Sequence, residues 1–158
     1  MSLKKCISLL FILGFFSSLV QSDFGRVEIK TYTQYSSNNQ YVVYDLYKPK
    51  SASKENKAPF IVVVPGFQRS KEALSNIAIE LSRRGNVVAL IDPYAQGMSS
   101  SSLSRRAATT EGYGMFALID SVSTGRLFDF IDKERMGSTG HSMGGNAAIR
   151  GANYFGKR

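Results

Sequence analysis

Gly140-His141-Ser142-Met143-Gly144 sets a serine between two glycines, each two residues away. This G-x-S-x-G spacing suits a hydroxyl nucleophile carried on a sharp turn between a strand and a helix. Such a serine can attack a carbonyl carbon, provided that a base takes its proton. The flanking sequence predicts a short strand over residues 136–139 that runs directly into the motif, and a helix that continues through Ala147, Ala148 and Ile149. A serine held at that junction takes a strained backbone conformation, and side chains two positions to either side would collide where strand and helix come close. Gly140 and Gly144 remove those side chains, while Gly145, Ala147, Ala148, Gly151 and Ala152 keep the helix thin enough to lie on a sheet. The amides at the helix N-terminus favour developing negative charge. The plainer alternative is a glycine-rich turn that at most holds an anion; the strand-turn-helix context favours the nucleophile.

Several elements must stand behind this turn. Residues 26–33 and 40–47 crowd valines and tyrosines together as strands prefer, and Ser-Ser-Asn-Asn-Gln (36–40) between them predicts a hairpin turn. A polar stretch over 49–59 leads to Phe-Ile-Val-Val-Val (60–64), a continuous run without alternation that marks a strand buried on both faces. From residue 71 to 84 the spacing of Ala73, Leu74, Ile77, Ala78 and Leu81 predicts an amphipathic helix, stopped by Gly85. Residues 87–91 predict a second buried strand ending at Asp92-Pro93, and the Ser-rich stretch 96–114, with Arg105 and Arg106, a long surface excursion. Phe116 to Ile119, Val122, Leu127, Phe128 and Ile131 predict helical material leading to Asp132. Alternation of this kind predicts an α/β domain: a mostly parallel sheet behind an antiparallel N-terminal hairpin, with helices on both faces.

The chain of 158 residues is long enough for one core-forming domain and too short for two. Residues 1–22 stand apart from it: Lys4 and Lys5 precede an apolar run from Ile7 to Val20, the pattern of an export signal cleaved before Asp23. That run is shorter than the roughly 20 residues a membrane-spanning helix needs, so an uncleaved membrane anchor is the second possibility. Export to the periplasm or medium is therefore expected, with residues 23–158 as the domain. Cys6 lies before the run, so cleavage leaves no thiol and no disulfide. With one histidine and no cysteine in the remainder, a metal centre of the usual ligands has no material. Of the net charge of +8, Lys4 and Lys5 carry two, leaving 8 − 2 = +6 dispersed over the domain. Nucleic-acid binding would favour a concentrated basic stripe with stacking aromatics, and is not expected.

At these residues the chain resembles the α/β-hydrolase family. Gly-His-Ser-Met-Gly-Gly (140–145) is a common form of that family's elbow, and Val-Val-Val-Pro-Gly-Phe (62–67) resembles its oxyanion loop. Residues 43–67 are most similar to the branch with dienelactone hydrolase-like and cutinase-like or polyester-hydrolase-like enzymes. The resemblance covers residues 26–156, matching the N-terminal part of the family's domain. It implies that Ser142 is the nucleophile on a small-molecule or polymeric ester, without a cofactor. It further implies that the oxyanion is held by the backbone N–H of Met143 and by that of Phe67, or of Gln68 if the loop is offset by one. Tyr94, Gln96 and residues 99–102 either border the cleft or form an ordinary polar loop.

The family's order is Ser, then an acid, then His, and after Ser142 this sequence has neither acid nor histidine. His141, the one histidine, projects away from its neighbour's hydroxyl on such a turn. Asp92 resembles a loop-organising position, while Asp120, Asp129 and Asp132 read as solvated. The 158 residues thus supply no triad acid or base. Two functions follow as expectations: part of a serine ester hydrolase, or a non-catalytic domain that binds a partner or ligand through an open sheet edge.

Overall fold

The computed structural model describes residues 25–36, 39–100, 112–125 and 127–156. The expected export segment, Cys6, Arg105 and Arg106 lie outside them. Among the described residues, five strands and three α-helices alternate as the hydrophobic pattern requires. Strand β1 (Val27–Tyr35) and strand β2 (Tyr41–Pro49) form the antiparallel hairpin, in register from Val27 opposite Pro49 to Tyr35 opposite Tyr41. Strand β3 (Ala58–Val64) is followed by a 3-10 turn (Lys71–Leu74) and helix α1 (Ser75–Arg83). Then come strand β4 (Val87–Ile91), helix α2 (Met115–Ser123), strand β5 (Ile131–Gly140) and helix α3 (Met143–Phe155).

The sheet order is β1-β2-β4-β3-β5, with β3 parallel to both β4 and β5. Two strands with unbroken apolar runs therefore sit at the centre, where both faces are covered. On one face Phe60, Val62, Val64, Val87, Ala89 and Ile91 pack against Met115, Leu118, Ile119 and Val122 of α2 and Ala147 of α3. On the other, Val63, Val88, Leu90 and Tyr47 pack against Ala78 of α1. Every one of these central-strand side chains is buried, so successive residues of β3 and β4 serve two different cores. That is why the sequence shows no polar alternation there.

Two expected boundaries move. The helical stretch foreseen up to Ile131 ends at Ser123, because Gly125 takes a left-handed φ of 74° and Phe128 turns the chain again at φ 58°. Leu127 and Phe128 pack as turn residues, Phe128 edge-on to Tyr32 at 5.2 Å between ring centres, and Ile131 already begins β5. Their apolar character reflects burial under the sheet edge rather than helical periodicity. The strand foreseen over 136–139 is the part of β5 that runs in regular register with β3, from Met136 opposite Phe60 to Gly140 opposite Val64. Before it, Ala58 and Pro59 face Ile131 and Asp132, so residues 133–135 bulge out of the ladder. Asp132 stabilises that bulge, accepting from the Glu134 N–H at 3.0 Å and from Arg135 Nε at 2.6 Å.

Small residues let α3 lie close. Ala147, Ala148 and Gly151 are buried, and a Cβ on Gly151 would meet Met115 Sδ at 2.8 Å. Ala152, expected on the same face, is exposed. The Ser138 hydroxyl donates to Ala148 O at 2.7 Å, tying the helix to its own strand. Asp120, expected to be solvated, instead accepts from the Tyr154 hydroxyl at 2.9 Å and joins α2 to α3.

Candidate active site

Ser142 sits between the last residues of β5 and the first turn of α3 with φ 55° and ψ −118°. Only glycine adopts this region readily, and holding another residue there costs on the order of 1–3 kcal/mol. The strain places the side chain outward. Ser142 occupies the N-cap position of α3, yet its hydroxyl makes no capping bond, and the residue is exposed. A serine at an N-cap ordinarily spends its oxygen on the helix amides; here those needs are met by backbone, Gly144 N–H to His141 O at 2.8 Å and Gly145 N–H to Ser142 O at 2.9 Å. Ser142→Gly is therefore expected to raise stability by about 1 kcal/mol, the relieved strain less the added chain entropy of glycine. Urea unfolding midpoints would show it, and a fall in stability would mean that the backbone at 142 is not strained.

The glycines around the serine are dictated by β3. A Cβ on Gly140 would lie 2.5 Å from Val64 O and from Gly144 C. One on Gly144 would overlap Val64 O and come within 2.6 Å of Pro65 O. Gly66 completes the arrangement: its Cβ position is 3.4 Å from Ser142 Cβ and 3.2 Å from His141 Nδ1. The loop that leaves β3 thus runs directly beside the serine, with the imidazole of His141 laid against Gly66.

Residues Gly66 to Arg69 form a turn closed by Arg69 N–H donating to Gly66 O at 3.2 Å, with Gln68 at φ 56°. Gln68 N–H donates to Gln96 Oε1 at 2.5 Å. Among the described residues, the N–H groups of Phe67 and Met143 have no acceptor. Of the two loop positions left open by sequence, Phe67 is the one with a free donor.

The exit of β4 braces that turn. Asp92 is 1% exposed; its Oδ1 accepts from Lys71 N–H at 2.7 Å and its Oδ2 from Met98 N–H at 2.9 Å. Ser99 and Ser100 secure the loop to β2, accepting from Val43 N–H at 2.8 Å and Tyr41 N–H at 3.0 Å. These serines are therefore occupied structurally, and Tyr94 is buried; residues 101 and 102 lie outside the described residues. Lys71 is buried too, with Nζ 3.0 Å from Asp45 Oδ2 and 2.8 Å from Glu72 Oε1. Burial pulls its ammonium downward, but the hydrogen bonds with Glu72 and Asp45 more than offset this and hold it above its usual range. The bond from Lys71, together with that from Ser70, lowers the Glu72 carboxyl to about 2.

Asp129 is exposed, and Asp120 and Asp132 are engaged as described, away from the serine turn. Among the described residues no three His, Cys, Asp or Glu side chains are grouped to hold a metal ion, and no helix is long and apolar enough to cross a membrane. What the arrangement offers is an exposed, strained serine, two unengaged amides on the loops beside it, and a helix N-terminus.

A family model described as PET hydrolase-like (PETase) matches residues 16–156. The chain belongs to the PETase family of α/β-hydrolases. This PETase-family chain also resembles solved structures. One is an esterase from Pyrococcus furiosus, 20% identical with a TM-score of 0.64, covering 79% of this chain and 47% of the other. A second is a ferulic acid esterase from Streptomyces cinnamoneus, at 19%, 0.64, 81% and 55%. A third is an α/β hydrolase from a Penicillium species, at 18%, 0.65, 79% and 41%. At such identities the likeness is one of fold. The chain spans about half the length of the solved structures it matches, or less. A search of curated proteins by sequence found no match.

Proposed function

We propose that this PETase-family chain carries the nucleophile and oxyanion half of an exported serine ester hydrolase. Ser142 Oγ bonds to the ester carbonyl carbon while its proton passes to a base. The carbonyl oxygen becomes an oxyanion held by the Phe67 and Met143 N–H groups; the tetrahedral centre then collapses, expelling the alcohol and leaving an acyl-serine for water to cleave. The observation that carries this is the Ser142 backbone, strained at φ 55° with its hydroxyl unused by the helix it begins. A purely structural turn has no need of such a residue where glycine would fit better. Ester and polyester substrates are supported by the family, and export by the basic and apolar N-terminus.

Turnover needs a general base and an acid that residues 1–158 do not supply: His141 is the only histidine in them and lies against Gly66. The solved structures matched are roughly one and a half times as long or more. Phosphonylation of Ser142 needs the same proton acceptor as acylation, so it is tested in the full-length protein that carries the base. A fluorophosphonate probe is expected to form an adduct at Ser142, located by peptide mass, and Ser142→Ala is expected to reduce labelling at least about tenfold, to background. Equal labelling of both proteins would remove Ser142 from the chemistry.

A further inference from the structure

We infer that Gln96 is a positioning residue which sets the oxyanion donor of this hydrolase, an inference that rests on the roles just proposed for Ser142 and Phe67. Gln96 lies 28 residues from Gln68 in sequence, yet its carboxamide makes three bonds to one four-residue turn. Oε1 accepts from Gln68 N–H at 2.5 Å; Nε2 donates to Gly66 O at 3.2 Å and to Arg69 O at 2.9 Å. The orientation of the amide follows from its partners. Flipped, it would set its NH2 against an N–H and its oxygen against two carbonyls.

Two consequences meet at the oxyanion site. First, the clamp withdraws the Gln68 N–H, so that of the two adjacent loop amides only Phe67 keeps a free donor. Second, it holds Gln68 at φ 56°, a left-handed conformation that glutamine does not favour on its own. The bond to Gly66 O fixes the 66–67 peptide, whose other end is the Phe67 N–H; without the clamp the turn can relax and rotate that peptide. Gln96 is itself held, its N–H donating to Pro93 O at 3.0 Å and its carbonyl accepting from Ser99 N–H at 3.3 Å. Gln96 secures the near end of the β3 exit loop, as Asp92 secures the far end through Lys71. The loop after β4 therefore acts as the template on which the donor loop after β3 is shaped.

The test uses the full-length protein, base included, in three forms: wild type, Gln96→Ala and Gln96→Glu. Amide hydrogen exchange read residue by residue by NMR reports the clamp, and the rate of fluorophosphonate adduct formation at Ser142 reports its effect on the nucleophile's site. In wild type the Gln68 amide is expected to be protected and the Phe67 amide not. In Gln96→Ala the Gln68 protection is lost, amides of β3 and β4 are unchanged, and labelling slows about tenfold, a weakened rather than deleted oxyanion donor. Gln96→Glu keeps the shape of the side chain. Ionised at about pH 7 it accepts from Gln68 but sets a negative oxygen against two carbonyls; protonated near about pH 4 it regains one donor. Its labelling rate, as a ratio to wild type at the same pH, is therefore expected to rise as pH falls, which a loss of bulk packing would not produce.

Free exchange of the Gln68 amide in wild type would overturn the clamp. Loss of the clamp in Gln96→Ala with unchanged labelling would overturn its positioning role while leaving Ser142 reactive. A protected Gln68 amide with no Ser142 adduct in any protein would instead defeat the serine hydrolase proposal, and the positioning role with it.

Discussion

Gly144→Ala is expected to destabilise the protein by about 3 kcal/mol, at the upper end of what overpacking costs. The added methyl would overlap Val64 O and lie 2.6 Å from Pro65 O and Val64 C. These are main-chain atoms at the end of β3, an interior strand held by β4 on one side and β5 on the other. A clash with the end of a flexible side chain could be relieved by a rotamer change; this one requires α3 or β3 to move. Two neighbouring glycines serve as controls. A Cβ on Gly145 would make ordinary contact at 3.5 Å with Gly140 O, and one on Gly137 would meet nothing within 4 Å. Since alanine is favoured over glycine by about 0.8–1 kcal/mol inside a helix, Gly145→Ala is expected to be neutral or mildly stabilising. Urea unfolding of the three variants decides the matter. Equal midpoints for Gly144→Ala and Gly145→Ala would mean that strand and helix are not as close as described.

The second large effect is expected at Asp92. Asp92→Ala leaves the backbone N–H groups of Lys71 and Met98 without their shared acceptor, inside a site where the carboxylate is 1% exposed. Hydrogen bonds to a charged group contribute about 1.5–3 kcal/mol each, and the two share one side chain, so a loss of about 3 kcal/mol is expected rather than their full sum. Asp92→Asn separates acceptor chemistry from packing. The amide keeps one oxygen but turns an NH2 toward the other N–H, so it is expected to lose about 2 kcal/mol although its shape is nearly unchanged. Gly97 marks how close the loop comes: it has φ 53°, and a Cβ there would strike the carboxylate. Thermal unfolding would show the pair, at roughly 3–5 °C per kcal/mol for a domain of this size. If Asn behaved as wild type, the carboxylate would be acting by volume alone.

The α/β architecture was legible because its signals are local. The unbroken run from Phe60 to Val64 could only be a strand covered on both faces, and the structure divides its residues between two cores. Gly140 and Gly144 in their strand-turn-helix setting announced a tight junction, and both prove to abut main-chain atoms of β3 or the turn. The end of α2 was harder to read. Leu127, Phe128 and Ile131 continue an apolar pattern, but Gly125 and Phe128 adopt left-handed conformations that break it, and a Phe at positive φ has no signature in composition.

Of the polar interior, only Asp92 was legible, as a loop organiser implied by the resemblance. By sequence Asp120 reads as solvated, yet it accepts from Tyr154, 34 residues away. Gln96 was either a cleft or a loop residue, and only its contact with Gly66, Gln68 and Arg69 separates the two. Hydrophobic periodicity and glycine placement determined the element order, the two-faced sheet and the position of the serine, because burial and steric limits act on each residue type wherever the chain runs. Which amide stays free at the oxyanion loop, and which groups Asp92 and Gln96 hold, was decided when β3 and β4 came side by side. Hydrogen-bond partners are chosen by distance in space, and the exits of these two strands are adjacent only in the folded sheet.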